Sequence, residues 1–170
     1  MSQLDAFRRQ KDDFFKQDPH SPLVPEQRKV FGGLKYYPEN PALRIITKIE
    51  EHIEKQPVTM ITSTGGVQEY LKYGQFTFEV NGQKATLQVY QDPEQGNFFL
   101  PFVDATAGEE TYEAGRYLEI EQEPDGHFLI DFNYAYSPYC AYNESWSCPI
   151  PPKENRLSVR IEAGEKKFHE

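Results

Sequence analysis

Between positions 104 and 116 the chain gathers carboxylates, Asp104, Glu109 and Glu110 among them, two threonine hydroxyls (Thr106, Thr111), the Tyr112 phenol and the Arg116 guanidinium. Convergent donors and acceptors of this kind suit a pocket for a small polar ligand. Arg116 would grip a carboxylate or phosphate through two parallel hydrogen bonds, with Tyr112 or Tyr117 walling the ligand. The same residue types also serve a loop that only holds itself together, Asp104 closing an Asx-type turn and Arg116 pairing with Glu110. Both readings are open at the level of sequence.

A second stretch, Asp131-Phe132-Asn133-Tyr134-Ala135-Tyr136, alternates polar and aromatic residues. Kept extended, it presents Asp131, Asn133 and Ala135 on one face and the three rings on the other. The aromatic face reads as core, and the polar face approaches Arg116 only in some strand registers. The expected ligand-binding residues are therefore Asp104, Thr106, Glu110, Tyr112, Arg116, Asp131, Asn133, Tyr136 and Tyr142. Arg116 is the anchor, Tyr112 and Tyr136 are the walls, and Asp104, Glu110 and Asn133 orient the ligand. The function this implies is non-enzymatic binding of a small polar or anionic ligand in a pocket lined by the 104–116 loop and the 131–142 segment. One alternative is a hydrolase or isomerase working with a carboxylate pair, Asp104 with Glu110 or Asp131 with Glu154, because two carboxylates in one pocket are driven to different pKa values. Another is a structural or protein-interaction module, with Tyr134 to Trp146 as its contact patch.

Seven residues separate Cys140 from Cys148. Zinc sites favour about two to four residues between ligands and need four donors, and His20, His52, His127 and His169 do not cluster with the cysteines. Neither a metal nor a cofactor is expected. A disulfide across this loop is geometrically possible, but a cytoplasmic address favours free thiols, buried or reactive. Neither cysteine has an identifiable base. The chain also lacks a phosphate-binding glycine loop, a nucleophile elbow and paired histidines on a helix. Pro149-Ile150-Pro151-Pro152 reads as a rigid extended strap over the tyrosine-rich loop.

The whole-chain balance narrows the partners. A formal charge of -9, from 18 Lys and Arg against 27 Asp and Glu, makes nucleic acid and anionic membrane poor partners, since both are bound through clustered cations. The first twenty residues are charged throughout and lack the apolar run of a signal peptide, and no window approaches a membrane span of about twenty apolar residues. Cytoplasmic location is the expectation, which leaves the sequon Asn143-Glu144-Ser145 without meaning.

The elements that must position these residues are mostly strands. A chain of 170 residues fits one domain, with an N-terminal helix over 1–18 and a β domain over 34–165 whose motif-bearing half is 98–165. The 11 Tyr and 12 Phe lean towards sheet. Ser2 with Asp5 makes a capping box, and Leu4, Phe7, Phe14 and Phe15 share a helical face. Lys11 falls in that stripe and is expected to snorkel outward. Strands are expected at Leu34–Tyr37, in the first half of Ala42–Ile53, and in the hairpin Val58–Thr64 with Val67–Tyr73. Phe76, Phe78 and Val80 alternate before Asn81-Gly82, and Ala85, Leu87 and Val89 alternate after it. A two-residue type I′ turn there sets Phe78 opposite Ala85 and Phe76 opposite Leu87. Asn97–Val103 follows, with Pro101 forcing an edge or bulge, then the hairpin Gly115–Glu121 with His127–Phe132, and a last strand through Leu157, Val159 and Ile161. The fold class is mainly β, a single antiparallel meander of eight or nine strands closed or nearly closed into a small barrel or sandwich.

These strings resemble a known family. Phe102-Val-Asp104-Ala-Thr106-Ala-Gly108-Glu-Glu110-Thr111-Tyr112, Gly115-Arg116-Tyr117-Leu118, Asp131-Phe132-Asn133 with Ala135-Tyr136, Cys140-Ala141-Tyr142, Cys148-Pro149 with Pro151-Pro152, Glu154-Asn155-Arg156-Leu157 and Ala163-Gly164-Glu165-Lys166 are similar to the domain-of-unknown-function family numbered 1684. Phe31-Gly32-Gly33-Leu34-Lys35-Tyr36 and the Tyr70–Val80 segment fit as well, so the likeness covers nearly the whole chain. It implies a predominantly β domain of prokaryotes and carries no activity with it.

Overall fold

The structure is a computed structural model describing residues 2–169. It opens with α1 (Gln3–Gln17), capped by the expected Ser2–Asp5 box, and a short α2 (Pro25–Val30). Seven strands follow: β1 (Arg44–Thr47), β2 (Glu50–Ile61), β3 (Val67–Val80), β4 (Gln83–Gln91), β5 (Phe98–Phe102), β6 (Arg116–Gln122) and β7 (Phe128–Asp131). They form one antiparallel sheet in the order β1-β7-β6-β5-β4-β3-β2, curled into a half-barrel. Among the described residues no helix is long and apolar enough to cross a membrane.

The Asn81-Gly82 turn sets the register that its alternation predicts. Phe78 faces Ala85 and Phe76 faces Leu87, with Asn81 at φ 50° and Gly82 at φ 83°, the positive values a type I′ turn needs. Because side chains alternate across a strand, each strand contributes to two cores. Phe76, Phe78, Leu87, Val89, Leu100, Phe102, Leu118 and Ile120 fill the inner face. Tyr90, Phe99 and Tyr117 point the other way and meet Met60, Cys140 and Cys148. That outer face is covered by the segment after β7, and Phe15 of α1 closes a third cluster with Leu23 and Tyr142.

Several expectations need correction. Leu34–Tyr37 is no strand of the sheet; it makes a single bridge, Tyr36 to Glu165, because its partners are the C-terminal residues. The stretch through Leu157, Val159 and Ile161 is no strand of the sheet: it bends at Ser158 and Val159, makes one parallel bridge between Val103 and Arg156, and shares its backbone groups between the 103–105 backbone and the side chains of Asp104 and Arg116. The two hairpin strands expected on either side of Tyr73 are one strand, β3, with a register shift between Lys72 and Gly74. Lys11 does not snorkel outward: its Nζ turns in to Glu165 Oε2 at 2.6 Å. Pro101 lies where pairing of β5 with β4 has already stopped at Phe99, so its missing N–H breaks no ladder bond.

Candidate functional site

The 104–116 loop folds around one threonine carbonyl. Thr106 O accepts from the N–H groups of Glu109, Glu110 and Thr111, and Gly108, at φ 83°, makes the reversal possible. Below this turn Asp104 is buried, and its Oδ2 accepts from Thr106 Oγ1 at 2.7 Å and from the Ile161 N–H at 2.7 Å. Since the Thr106 proton is spent on Asp104, the 2.9 Å contact between Thr106 and Thr111 must be donated by Thr111. Arg116 is fully buried. Its Nη2 meets Asp104 Oδ1 at 3.4 Å and Ile161 O at 2.9 Å, while Nη1 donates to Ala163 O and Glu165 O. Burial pulls the guanidinium below its ordinary pKa, and the Asp104 charge opposes that shift.

The Asx turn at Asp104 is therefore present, but the partner of Arg116 is Asp104 and not Glu110. Glu110 is held by Arg160 and accepts from Tyr37 Oη at 3.0 Å. Burial, reinforced by this bond, pushes the Tyr37 phenol up to about 12. Arg116, Asp104 and Thr106 thus stand behind the wall of any cavity, Arg116 gripping alternate carbonyls of the C-terminal segment and Asp104 its Ile161 N–H, much as a neighbouring strand would.

The 131–136 stretch does not stay extended. Asp131 caps a 3-10 turn over Phe132–Tyr134, its Oδ1 accepting from the Asn133 N–H at 3.0 Å, so the alternation of faces ends at β7. Asn133 exchanges two hydrogen bonds with the backbone of Asn40, 2.8 Å to its Oδ1 and 3.0 Å from its Nδ2. It is a staple and faces no pocket. Its sequence-distant counterpart, Asn155, does the same for Gln88 and also donates to Pro101 O.

Two cavities divide the remaining expected residues. The first, of about 360 Å³, lies between the Gly108–Glu113 loop, residues Cys140–Glu144 and the C-terminal Lys167–His169. Tyr112 and Tyr142 line it together with Thr111, Glu113, Cys140 and Glu144. The Tyr142 hydroxyl is buried with no hydrogen-bond partner, and no carboxylate of the described residues pairs with Lys167. The second, of about 1000 Å³, is an aromatic groove between α1 and the outer face of the sheet, and it takes Asp131 and Tyr136. Neither carboxylate pair proposed from sequence shares a cavity. The C-terminal Lys-Lys-Phe-His tail was missed as a lining element, since nothing in its sequence marks it; the Arg116 clasp and the bond from the Lys167 N–H to Glu110 O bring it to the loop.

Between the two cavities sits the thiol pair. Cys140 is on a 3-10 turn over Tyr139–Ala141 and lines the first cavity; Cys148, tied to the β2–β3 turn by Ser63, lines the groove. Both are free and buried. The Cys140 N–H donates to Cys148 Sγ at 3.3 Å, and Tyr112 Oη lies 3.7 Å from Cys140 Sγ. Donation from the Cys148 thiol, then from the Tyr112 hydroxyl, holds the Cys140 thiol below its ordinary pKa against the opposing effect of burial. Cys148, as the donor, is pushed up. No group of three or more His, Cys, Asp or Glu among the described residues is placed to hold a metal ion.

Comparison with known proteins agrees with the fold. The solution NMR structure of an uncharacterized protein from Haloarcula marismortui is 37% identical, superposes with a TM-score of 0.73, and the match covers 96% of this chain and 92% of that one. No curated protein matches. Residues 29–166, which contain the whole sheet, the Asp104–Arg116 clasp and both cysteines, match the family described as "Protein of unknown function (DUF1684)", and the chain belongs to that family.

Proposed function

We propose that the protein binds a small polar or anionic molecule, without transforming it, in the cavity of about 360 Å³ between the Gly108–Glu113 loop and Cys140–Glu144. The observation that supports this is one cavity lined both by Lys167, which pairs with no carboxylate among the described residues, and by Tyr142, whose buried hydroxyl has no hydrogen-bond partner, in a chain whose net charge is -9. An orphan buried donor costs about 1–3 kcal/mol unless something accepts from it, and an acceptor group of a ligand fills that role. In this reading Lys167 takes the anchoring part first given to Arg116, Tyr112 remains a wall, and Arg116 with Asp104 and Thr106 keeps the loop and the tail in place.

The test is native mass spectrometry of the freshly purified protein, followed by calorimetric titration with a panel of small carboxylates and phosphates against wild type, Lys167→Met and Tyr142→Phe. Binding that weakens about tenfold or more in Lys167→Met, with unchanged melting temperature, supports the reading; a single charge-assisted hydrogen bond is worth that much. Equal affinity of wild type and Lys167→Met, or no retained mass and no binding across the panel, rejects it.

A further inference from the structure

Buried cysteines that act as small hydrophobes have no polar partners. Cys140 and Cys148 do not fit that description. They touch each other, with Cys148 Sγ accepting the Cys140 N–H at 3.3 Å, and the Tyr112 hydroxyl lies 3.7 Å from Cys140 Sγ. They also differ in access. Cys140 lines the first cavity and Cys148 the aromatic groove, so the two residues face different approaches from solvent.

We propose that Cys140 and Cys148 form a thiol–disulfide exchange site, with Cys140 as the attacking sulfur and Cys148 as the resolving one, and with a low-molecular-weight disulfide as co-reactant. The Cys140 thiolate attacks one sulfur of that disulfide, forming a mixed disulfide and releasing one thiolate. Cys148 then gives up its proton and attacks the Cys140 sulfur, releasing the second. Two protein thiols are oxidised to one disulfide, and one external disulfide is reduced to two thiols. The asymmetry of the pair follows from its hydrogen bonds: a sulfur that accepts from the neighbouring thiol and from the Tyr112 hydroxyl is favoured as thiolate, and the donating thiol keeps its proton until it resolves. The two anchors, a 3-10 turn at Cys140 and the β2–β3 turn at Cys148, are joined by an exposed loop through Trp146, which can absorb the closer approach of the sulfurs. The inference does not depend on the ligand reading.

The experiment uses the full-length protein, reduced, freed of reductant and incubated with glutathione disulfide at pH 7. Wild type is expected to lose two hydrogens by intact mass, with the bond mapped to Cys140–Cys148 in non-reduced peptides. Cys148→Ser is expected to stop at one added glutathione on Cys140, and Cys140→Ser to acquire none at a comparable rate. In the reduced protein, iodoacetamide should label Cys140 roughly tenfold faster than Cys148. A wild type that stays reduced while its urea-unfolded form is readily oxidised overturns the proposal. So does labelling at equal rates, which needs no variant to fold.

Discussion

Arg116 Nη2 lies 3.4 Å from Asp104 Oδ1 with both side chains sealed from solvent, and the two together hold the backbone of residues 161–165. Asp104 accepts the Ile161 N–H, and Arg116 donates to the carbonyls of Ile161, Ala163 and Glu165. An extended segment that pairs with no strand normally leaves its polar groups to water. Here an ion pair replaces the missing strand, at the cost of burying two charges.

Breaking this pair on one side leaves an uncompensated charge in the core. Arg116→Ala and Asp104→Ala should each lower stability by about 3–5 kcal/mol, with the double variant well short of the sum. Urea denaturation of the three variants checks this; strictly additive losses would show the two side chains acting separately.

Asn155 donates twice and accepts once in the space between β4 and β5, joining Gln88 to Pro101. Asn155→Ala removes all three bonds and leaves the Gln88 N–H unsatisfied, so a loss of about 2–3 kcal/mol is expected. Equilibrium unfolding measures it, with Asn143→Ala on the exposed loop as the near-neutral control.

Gly115 has φ 101°, and a Cβ there would sit 2.5 Å from Phe102 O. Gly126 has φ 93° with nothing within 4 Å. Gly126→Ala should cost only the backbone strain of about 1–2 kcal/mol, while Gly115→Ala should cost clearly more because the clash is with backbone that cannot move. Thermal melts of the two variants decide it.

Burial raises the Glu165 carboxyl above its ordinary 4.5, and the Lys11 ammonium partly offsets the shift. With a folded pKa above the unfolded one, the folded state binds the proton more tightly. Stability contributed by this group therefore falls as pH rises from about 4.5 through the folded value, and is flat outside that window. Melting temperature against pH should show a shallower fall across the window in Glu165→Gln than in wild type; identical slopes would place the dependence elsewhere.

The Tyr112 hydroxyl, 3.7 Å from Cys140 Sγ, helps to keep that sulfur ionised. Tyr112→Phe removes the donor, so the Cys140 pKa rises and the thiolate fraction at pH 7 falls. Alkylation of Cys140 should slow severalfold at pH 7 and recover as pH rises past the ordinary thiol value of about 8.5. A rate unchanged at pH 7 would mean the hydroxyl makes no such bond in solution.

Local signals carried much of the fold. The Ser2–Asp5 box, the Asn81-Gly82 turn with its facing alternations and the 124–126 hairpin loop are all decided by residues within a few positions of one another, where sterics and hydrogen bonding leave one good conformation. The antiparallel, mainly β class follows from them. The site was less legible. Arg116 and Asp104 stood out by type, but their partners are backbone carbonyl and N–H groups 45 to 57 residues away, and a backbone group has no identity in sequence. Asp131 looked like the polar face of a strand, yet its own carboxylate caps the turn that ends the strand.

What the sequence by itself determined is the set of turns, the alternating strands, the N-terminal helix and the family, because each rests on neighbours along the chain or on ordered motifs. Only the tertiary structure decided that Lys11 turns inward, that the last extended segment is held by an ion pair, that Lys167 and Tyr142 share a cavity with Tyr112, and that Cys140 touches Cys148. Those relationships depend on where a curled sheet brings distant segments together, and that is set by the packing of both sheet faces and not by any local preference.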